Sequence, residues 1–426
     1  MSANTSAAGS QKSAFMAVTV LFFAWGFITS LIDPLVAAVK GIFTLSTLEA
    51  QLSAGAFFIA YGVMSFPAAA IIGRLRAVPA ILLALATMAI ACLVMLGAAN
   101  AASYPLVLAG LFLLATGITV LQVAANPLAA ALGKPEGSHF RLTLSQTFNS
   151  FGTFLGPALG ASLFLKGVEV TDGTALTPEV RDAALAGIDR AYFWICGLLL
   201  LLFGFFFVNR RRIAAAAPPA RAIGGIGTLL SEAFSSRWAV LGATAIFIYV
   251  GAEVAIGTQM ALFLNTPGIW GVSLEQAGKA VSFYWGGAMI GRAIGTLLLA
   301  RIPAARLMTV FAVIAAAMCG YVLLVGGVSA GYVALSIGLF NSIMFPVIFT
   351  LTLERSTASG EATSGLLCTG IIGGAAIPAI AGAVADATSF TTSFIVPGIC
   401  YLLLVLFAIR AASSPVLRRA SGESVH

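Results

Sequence analysis

The chain has 426 residues, of which 60% are hydrophobic and only 9% are charged. A soluble domain carries roughly 25% charged residues because its surface faces water, so this composition excludes a soluble protein and predicts an outer surface that faces lipid. The net charge of +7 does not indicate a nucleic-acid partner, because the basic residues stand in short clusters between long apolar runs, as topology markers of membrane proteins do.

Twelve apolar runs are predicted to form transmembrane helices, since a bilayer core needs about 20 apolar residues per helix. The start of the chain, 1–13, is polar, and the first run is too long for a cleavable signal peptide. An acidic connection, 167–189, follows the fifth run. The runs lie near residues 14–43, 50–73, 78–98, 104–132, 140–166, 190–208, 238–264, 276–301, 305–326, 331–353, 362–385 and 391–411.

A basic connection divides the runs into two groups of six. It covers 209–236 and contains Pro218-Pro219, so we expect a linker between an N-terminal six-helix bundle, 1–208, and a C-terminal one, 237–411. A short tail, 412–426, follows.

The two predicted bundles look like copies of each other. Leu155–Gly160 in the fifth run resembles Ile377–Gly382 in the eleventh, and Ala24–Gly26 in the first run resembles Tyr249–Gly251 in the seventh. Parallel six-span repeats are typical of the major facilitator architecture, in which the substrate site lies near the midplane between the halves.

The distribution of basic residues predicts the orientation. Sixteen of the 22 lysines and arginines fall in segments on the same side as the N-terminus, and five fall on the other side. By the positive-inside rule, both termini are expected in the cytoplasm. We therefore expect a multi-pass membrane protein.

Few residues could support enzyme chemistry or a metal. The five cysteines lie in apolar runs without CxxC spacing, and the only histidines are His139 and His426. Neither histidine has a second plausible ligand nearby, and no nucleophile–base pair is recognisable. The sequence therefore predicts no metal site, no cofactor and no enzyme.

Among the charged residues of the predicted spans three stand out, because a charge buried in a span costs several kcal/mol and needs a reason. Asp33 precedes Pro34, which loosens the helix, so Asp33 is a candidate proton carrier or, alternatively, a helix end at the outer interface. Glu253 is a candidate for cation coupling or sugar binding, or else belongs to a structural ion pair. Arg292 is expected to have a structural or gating role, paired with a carboxylate or with carbonyl groups at a helix end.

Uncharged amides predict the class of substrate. Amides donate and accept hydrogen bonds, as sugar hydroxyls do, and the flat faces of Trp25 and Trp285 suit the apolar face of a sugar ring. Hydrogen bonding between helices is the alternative for each amide. The amides are Gln122 and Asn126 on the fourth run, and Gln146 and Asn149 on the fifth.

At these residues the sequence resembles the bacterial glucose/galactose transporters, in the fucose permease-like branch of the major facilitator superfamily. The resemblance covers both halves and nearly the whole chain. It rests on the segments 25–29, 121–127, 141–152, 249–257, 283–292 and 341–346.

The resemblance implies a sugar–cation symporter. In the fucose permease-like relatives, an aspartate at the position of Asp33 and a glutamate at the position of Gln122 serve proton coupling and sugar binding. The resemblance also implies that Gln146 and Asn149 help to form the site. It also makes Ser30 and Asn341 candidates for substrate binding. In two respects the chain departs from the pattern: Gln122 cannot titrate, and Ser30 and Ile32 stand where asparagines are usual.

We therefore expect a secondary active transporter that imports a monosaccharide, glucose or galactose, by cation-coupled symport with alternating access. The coupling ion is H⁺ or Na⁺, and the other partner is the lipid bilayer. We also expect a location in a bacterial inner membrane and a monomer. Three alternatives remain open: an importer of fucose or of an amino sugar such as N-acetylglucosamine, an exporter of drugs or other metabolites with the same fold, and a membrane sensor that does not transport.

The assignment of Asp33 can be tested by the Asp33→Asn variant. We expect it to lose concentrative sugar uptake, because an amide cannot carry a proton, while sugar exchange or binding remains measurable. Radiolabelled uptake against a gradient is the measurement. A variant that still accumulates sugar would remove Asp33 from the coupling step.

Overall fold

The structure is a computed structural model, which describes residues 2–132, 138–166, 168, 176–216, 225–299 and 301–417. All regular secondary structure in these ranges is helical. The first part of the chain forms α1 (Ser2–Ser30), α2 (Ile32–Phe43), α3 (Thr47–Leu75), α4 (Ala77–Asn100), α5 (Tyr104–Ala131), α6 (Ser138–Phe164) and α7 (Pro178–Ala216).

The second part begins with a short helix, α8 (Ile226–Ser235), and continues with nine more. These are α9 (Arg237–Asn265), α10 (Leu274–Leu299), α11 (Ala304–Val325), α12 (Gly327–Asn341), α13 (Met344–Leu353), α14 (Gly360–Thr369), α15 (Gly373–Ala387), α16 (Phe390–Ser393) and α17 (Ile395–Ala412).

The first predicted span is broken between α1 and α2. Pro34 has no amide hydrogen for the carbonyl group of Ser30, and its ring would crowd that carbonyl in a continuous helix. The first helix therefore ends at Ser30, and the hydrogen bond from Leu35 N to Leu31 O, at 3.2 Å, starts the next turn. As a result, Asp33 lies in the first turn of α2.

Ten helical segments among the described residues are long and apolar enough to cross a membrane. The two further spans predicted from the sequence correspond to α6 and α10, which have 27 and 26 residues but are not among these ten. Both carry polar side chains, including Gln146 and Asn149 in α6 and Arg292 in α10.

The two halves, α1–α7 and α9–α17, meet along a surface that we call the seam. Helix α3 packs along α15, and α6 packs along α10. Small residues allow the close approach: a Cβ atom at Gly374 would lie 2.6 Å from the ring of Phe58, and one at Gly278 would lie 2.8 Å from Ala161.

Two ends of the seam are distinguished here by their residues. The Asp386 end contains the α2–α3 junction at 44–46 and the last turn of α15. The opposite, arginine-rich end contains Arg76, Arg237 and Arg355.

The connection between the halves is partly helical. Helix α7 extends to Ala216, and α8 lies against the second half, where the carboxylate of Glu232 accepts hydrogen bonds from the backbone N (2.5 Å) and hydroxyl (2.9 Å) of Ser359 at the start of α14. The Pro218-Pro219 pair and residues 418–426 of the predicted tail lie outside the described residues.

The packing of the first half can be tested at two glycines of α7. A Cβ atom at Gly187 would collide with the carbonyl oxygen of Leu163 in α6, whereas one at Gly204 meets nothing within 4 Å. We expect Gly187→Ala to destabilise the protein by about 1–3 kcal/mol through overpacking. Gly204→Ala, the matched control, should be neutral or stabilise α7 by up to about 1 kcal/mol. Thermal unfolding in detergent measures both, and equal midpoints would contradict this α6–α7 contact.

Candidate functional site

Asp33 lies at the seam, not at the lipid surface. Its side chain is 4% exposed, and the indole Nε1 of Trp285, from α10, donates a hydrogen bond to its Oδ2 at 2.5 Å. A Cβ atom at Gly257 would lie 3.3 Å from Asp33 Oδ1 and 3.2 Å from the Trp285 ring, so glycine lets α9 approach this pair closely. Since α2 continues to Phe43, Asp33 does not end the span.

Glu253 lies one helical turn of α9 before Gly257, on the same face of the helix. The hydroxyl of Tyr249 donates to its Oε1 at 2.7 Å, and the hydroxyl of Tyr284 donates to its backbone carbonyl at 3.1 Å. Glu253 is half-buried, whereas both tyrosines are almost fully buried. The Asp33 and Glu253 carboxyl groups thus border one polar region at the seam.

Asn341 extends this polar region further within the second half. It is fully buried, and its amide nitrogen donates to the hydroxyl of Tyr284 at 2.7 Å and to that of Tyr401 at 3.1 Å. In this conformation its contacts therefore lie within the second half, where they fix the tyrosine that bonds to the Glu253 backbone.

Arg292 joins the two halves further along the seam. Its Nη1 donates to the hydroxyl of Ser150, in α6, at 2.7 Å, and that hydroxyl lies 3.1 Å from the carbonyl oxygen of Gln146. The guanidinium is half-buried, so Arg292 lies where the relative position of α6 and α10 is set.

The side-chain amides of the first half differ in their hydrogen-bond partners. Gln122 is half-buried and donates from Nε2 to the hydroxyl of Tyr61 at 2.9 Å. Asn149 is half-buried and donates to the backbone carbonyl of Phe22 at 3.0 Å, so it also links α6 to α1. Gln146 is half-buried, and Asn126 lies in α5 with a side chain outside the described residues.

Trp25 and Ser30 are covered in this conformation. Trp25 is 4% exposed, with its ring centroid 4.1 Å from that of Phe22. Ser30 is 3% exposed and donates to the carbonyl of Phe27 at 3.0 Å. The structure thus brings Asp33, Trp285, Glu253 and Arg292 to the seam, and uses Trp25, Ser30 and Asn341 in internal contacts.

Sequence reasoning missed the tyrosines that hold these groups. Tyr61, Tyr284 and Tyr401 each accept a hydrogen bond from an amide of the predicted site. The chain has only eight tyrosines, and a hydroxyl inside an apolar run, which needs a partner in lipid, is the signal that would have found them. Among the described residues, no three histidines, cysteines or carboxylates lie together in a way that could hold a metal.

This arrangement, two packed helical halves with charged side chains at the surface between them, is that of a membrane transporter. The chain belongs to the Major Facilitator Superfamily, whose model matches residues 14–366.

Named relatives agree with this class. The chain is 37% identical over 408 residues to a glucose/galactose transporter of Brucella abortus (95% of this chain, 96% of the relative). It is 30% identical over 414 residues to the L-fucose-proton symporter of Escherichia coli (92% of each). The crystal structure of the transporter FucP in the outward conformation superposes with a TM-score of 0.70 at 27% identity, covering 95% of this chain and 100% of that one.

The contact between Tyr249 and Glu253 can be measured with a double-mutant cycle. We expect Tyr249→Phe and Glu253→Leu, singly and combined, to give a coupling energy of about 1–3 kcal/mol, because each substitution removes one partner of the hydroxyl–carboxyl hydrogen bond. Unfolding in mixed detergent micelles is the measurement.

The matched control is Tyr332→Phe. Tyr332 is 62% exposed, so the loss of its hydroxyl should leave stability unchanged. A coupling energy near zero between Tyr249 and Glu253 would contradict the hydrogen bond.

Proposed function

We propose that the chain is a cation-coupled symporter that imports a monosaccharide, with glucose and galactose as the favoured substrates. The observation that carries this proposal is the position of Asp33, a carboxylate buried at the seam between the two halves rather than in either core. A carboxylate there changes its surroundings whenever the halves move. The names of the Brucella and Escherichia coli relatives support a sugar as the substrate.

The proposed topology has twelve spans, which include α6 and α10. These two helices face each other across the seam, and their polar residues need not contact lipid. The arginine-rich end would face the cytoplasm together with both termini, as the positive-inside rule favours. We propose a location in a bacterial inner membrane and a monomer of two six-helix bundles, 1–208 and 237–411, joined by the linker 209–236.

With that orientation, we propose that this conformation is one that is closed to the outside. Cross-half contacts run from the Asp386 end to the Arg292–Ser150 hydrogen bond. Alternating access would then separate the halves at the Asp386 end and bring them together at the arginine-rich end. The outward conformation of the FucP structure is the opposite state in the same fold.

Substrate recognition is assigned to the half-buried amides of the first half. Gln122, Gln146 and Asn149 lie on α5 and α6, and their uncharged groups suit the hydroxyls of a neutral sugar. Trp285 would supply the aromatic face, next to Asp33. In the closed state its indole N–H is engaged by Asp33, so we expect sugar binding and the state of Asp33 to influence each other.

Coupling is assigned to Asp33, with Glu253 as the second carboxyl group. Both border the polar region around Gly257, and either H⁺ or Na⁺ can be the ion that they serve. An exporter of apolar compounds with the same fold would not need the amides of α5 and α6. Fucose and amino sugars remain alternative substrates, to be separated by experiment.

Uptake into proteoliposomes tests the proposal. With a panel of glucose, galactose, fucose and N-acetylglucosamine, we expect glucose or galactose to accumulate when an inward pH or sodium gradient is imposed. The ion whose gradient drives accumulation is the coupling ion. Failure to accumulate any of the four sugars under either gradient would refute sugar symport.

The same assay tests the site. We expect Gln122→Ala to raise KM about tenfold, since it removes a hydrogen bond to a neutral ligand. Gln276→Ala, at an exposed amide near the start of α10, is the matched control and should leave KM unchanged. Equal KM values in the two variants would remove Gln122 from the site.

A further inference from the structure

A carboxylate of the second half caps a helix of the first half. Asp386, in the last turn of α15, accepts hydrogen bonds from the backbone amides of Thr47 (2.8 Å, to Oδ1) and Leu48 (2.7 Å, to Oδ2). Thr47 and Leu48 are the first two residues of α3. The backbone amide of the third, Glu49, donates to the hydroxyl of Ser46. The N-terminus of a helix has backbone amides without acceptors and carries the positive end of the helix dipole. Asp386, from the other half, provides the acceptor oxygens and the negative charge that stabilise this end of α3.

A lysine is enclosed beside this cap. Lys40, in α2, is 4% exposed, donates to the hydroxyl of Thr47 at 2.7 Å, and lies 5.3 Å from the centre of the Phe390 ring. Phe390 belongs to the second half, so the ammonium group is covered only while the two halves are together at this end. Through the Asp386 cap and the enclosed lysine, polar groups of the two halves contact each other at the Asp386 end.

One turn further along α3, the buried side-chain amide of Gln51 raises the free energy of the closed contact. Gln51 is fully buried against the second half, where a Cβ atom at Gly382 would lie 3.1 Å from its Cγ. Its Oε1 lies 3.0 Å from the hydroxyl of Thr258 in α9, but its Nε2 has no hydrogen-bond partner among the described residues. A buried donor without a partner is costly, and separation of the halves would expose this amide to water.

Thr258 does not depend on Gln51. Its hydroxyl also lies 2.8 Å from the carbonyl of Val254, and a single hydroxyl proton can serve only one of the two acceptors. Replacement of Gln51 by an apolar residue therefore removes the buried donor that has no partner. The hydroxyl of Thr258 keeps its hydrogen bond to the carbonyl of Val254.

We propose that the Asp386 end is a balanced gate, held closed by the carboxylate of Asp386 at the N-terminus of α3 and opposed by the buried amide of Gln51. The balance keeps the two states close in free energy, which a carrier needs in order to alternate between them. The proposal rests on the proposed transport function for its biological meaning, but its physical content is a conformational equilibrium that exists without substrate.

Distances between spin labels test the gate in the full chain without sugar. The labels are placed at Glu179→Cys in α7 and Gln276→Cys in α10, both exposed at the Asp386 end, after replacement of the five native cysteines. In double electron–electron resonance, we expect Asp386→Ala to increase the ratio of open to closed states about fivefold, because two charge-assisted hydrogen bonds are lost. Asp386→Glu, which keeps the carboxylate, should restore part of the closed population.

Gln51→Leu should act in the opposite direction. Leucine fills a similar volume without an unpartnered donor, so the ratio of open to closed states should fall about tenfold. The matched control is Gln259→Leu, because Gln259 has the same features, a buried Nε2 without a partner among the described residues and a serine hydroxyl at 2.9 Å, but its partner Ser393 belongs to the same half. We expect this control to leave the distances unchanged.

Asp189→Asn is the control for the loss of charge. Asp189 is bonded by Asn100 at 3.1 Å within the first half, so its replacement should not move the gate. The proposal is overturned if Asp386→Ala gives the same distances as Asp189→Asn, or if Gln51→Leu shifts the populations in the same direction as Asp386→Ala. A failure of sugar uptake in proteoliposomes would refute the proposed function and leave this result untouched.

Discussion

The hydrogen bond from Trp285 to Asp33 is the interaction on which the arrangement at the centre of the chain depends. A carboxylate inside an apolar bundle is tolerated only if a donor compensates for its lost hydration. Here the donor comes from the other half, 252 positions away in sequence. The compensation therefore exists only while the two halves are together, so the stability of this buried carboxylate depends on the position of the second half.

A proline and a glycine make the contact between Asp33 and Trp285 possible. Pro34 breaks the first span, so that Asp33 stands at the start of a new helix, and Gly257 brings α9 close to both partners. Around them, tyrosine hydroxyls connect Glu253 and Asn341 into a hydrogen-bonded network that fixes the second half. The polar groups are thus held by rigid elements inside each half, and only the contacts across the seam can change when the halves move.

The seam differs from the cores in the kind of contact that it uses. The cores are apolar side chains packed at close distance, which tolerate little displacement. Across the seam, the contacts are single hydrogen bonds, such as those from Arg292 to Ser150 and from Ala158 N to Ser282, together with glycines that face a neighbouring helix. Pro157, inside α6, lies just before Ala158, and a proline weakens the helical hydrogen bonding around it. Contacts of this kind are broken and made again at low cost, as alternating access requires.

The sequence by itself determined the class of fold and the position of ten apolar spans, because apolar length is a property of a local segment. It also identified the charged residues that need a reason to lie in a span, because the cost of a charge in lipid is a local property too. It did not reveal the helix at 226–235, which is short, or the breaks within the tenth and eleventh spans. Only the tertiary structure decided that Trp285 binds Asp33, that Asn341 is engaged by tyrosines of its own half, and that Asp386 caps α3. These pairings join residues far apart in the chain, and helical periodicity gives the face on which a side chain lies without giving the face that it meets.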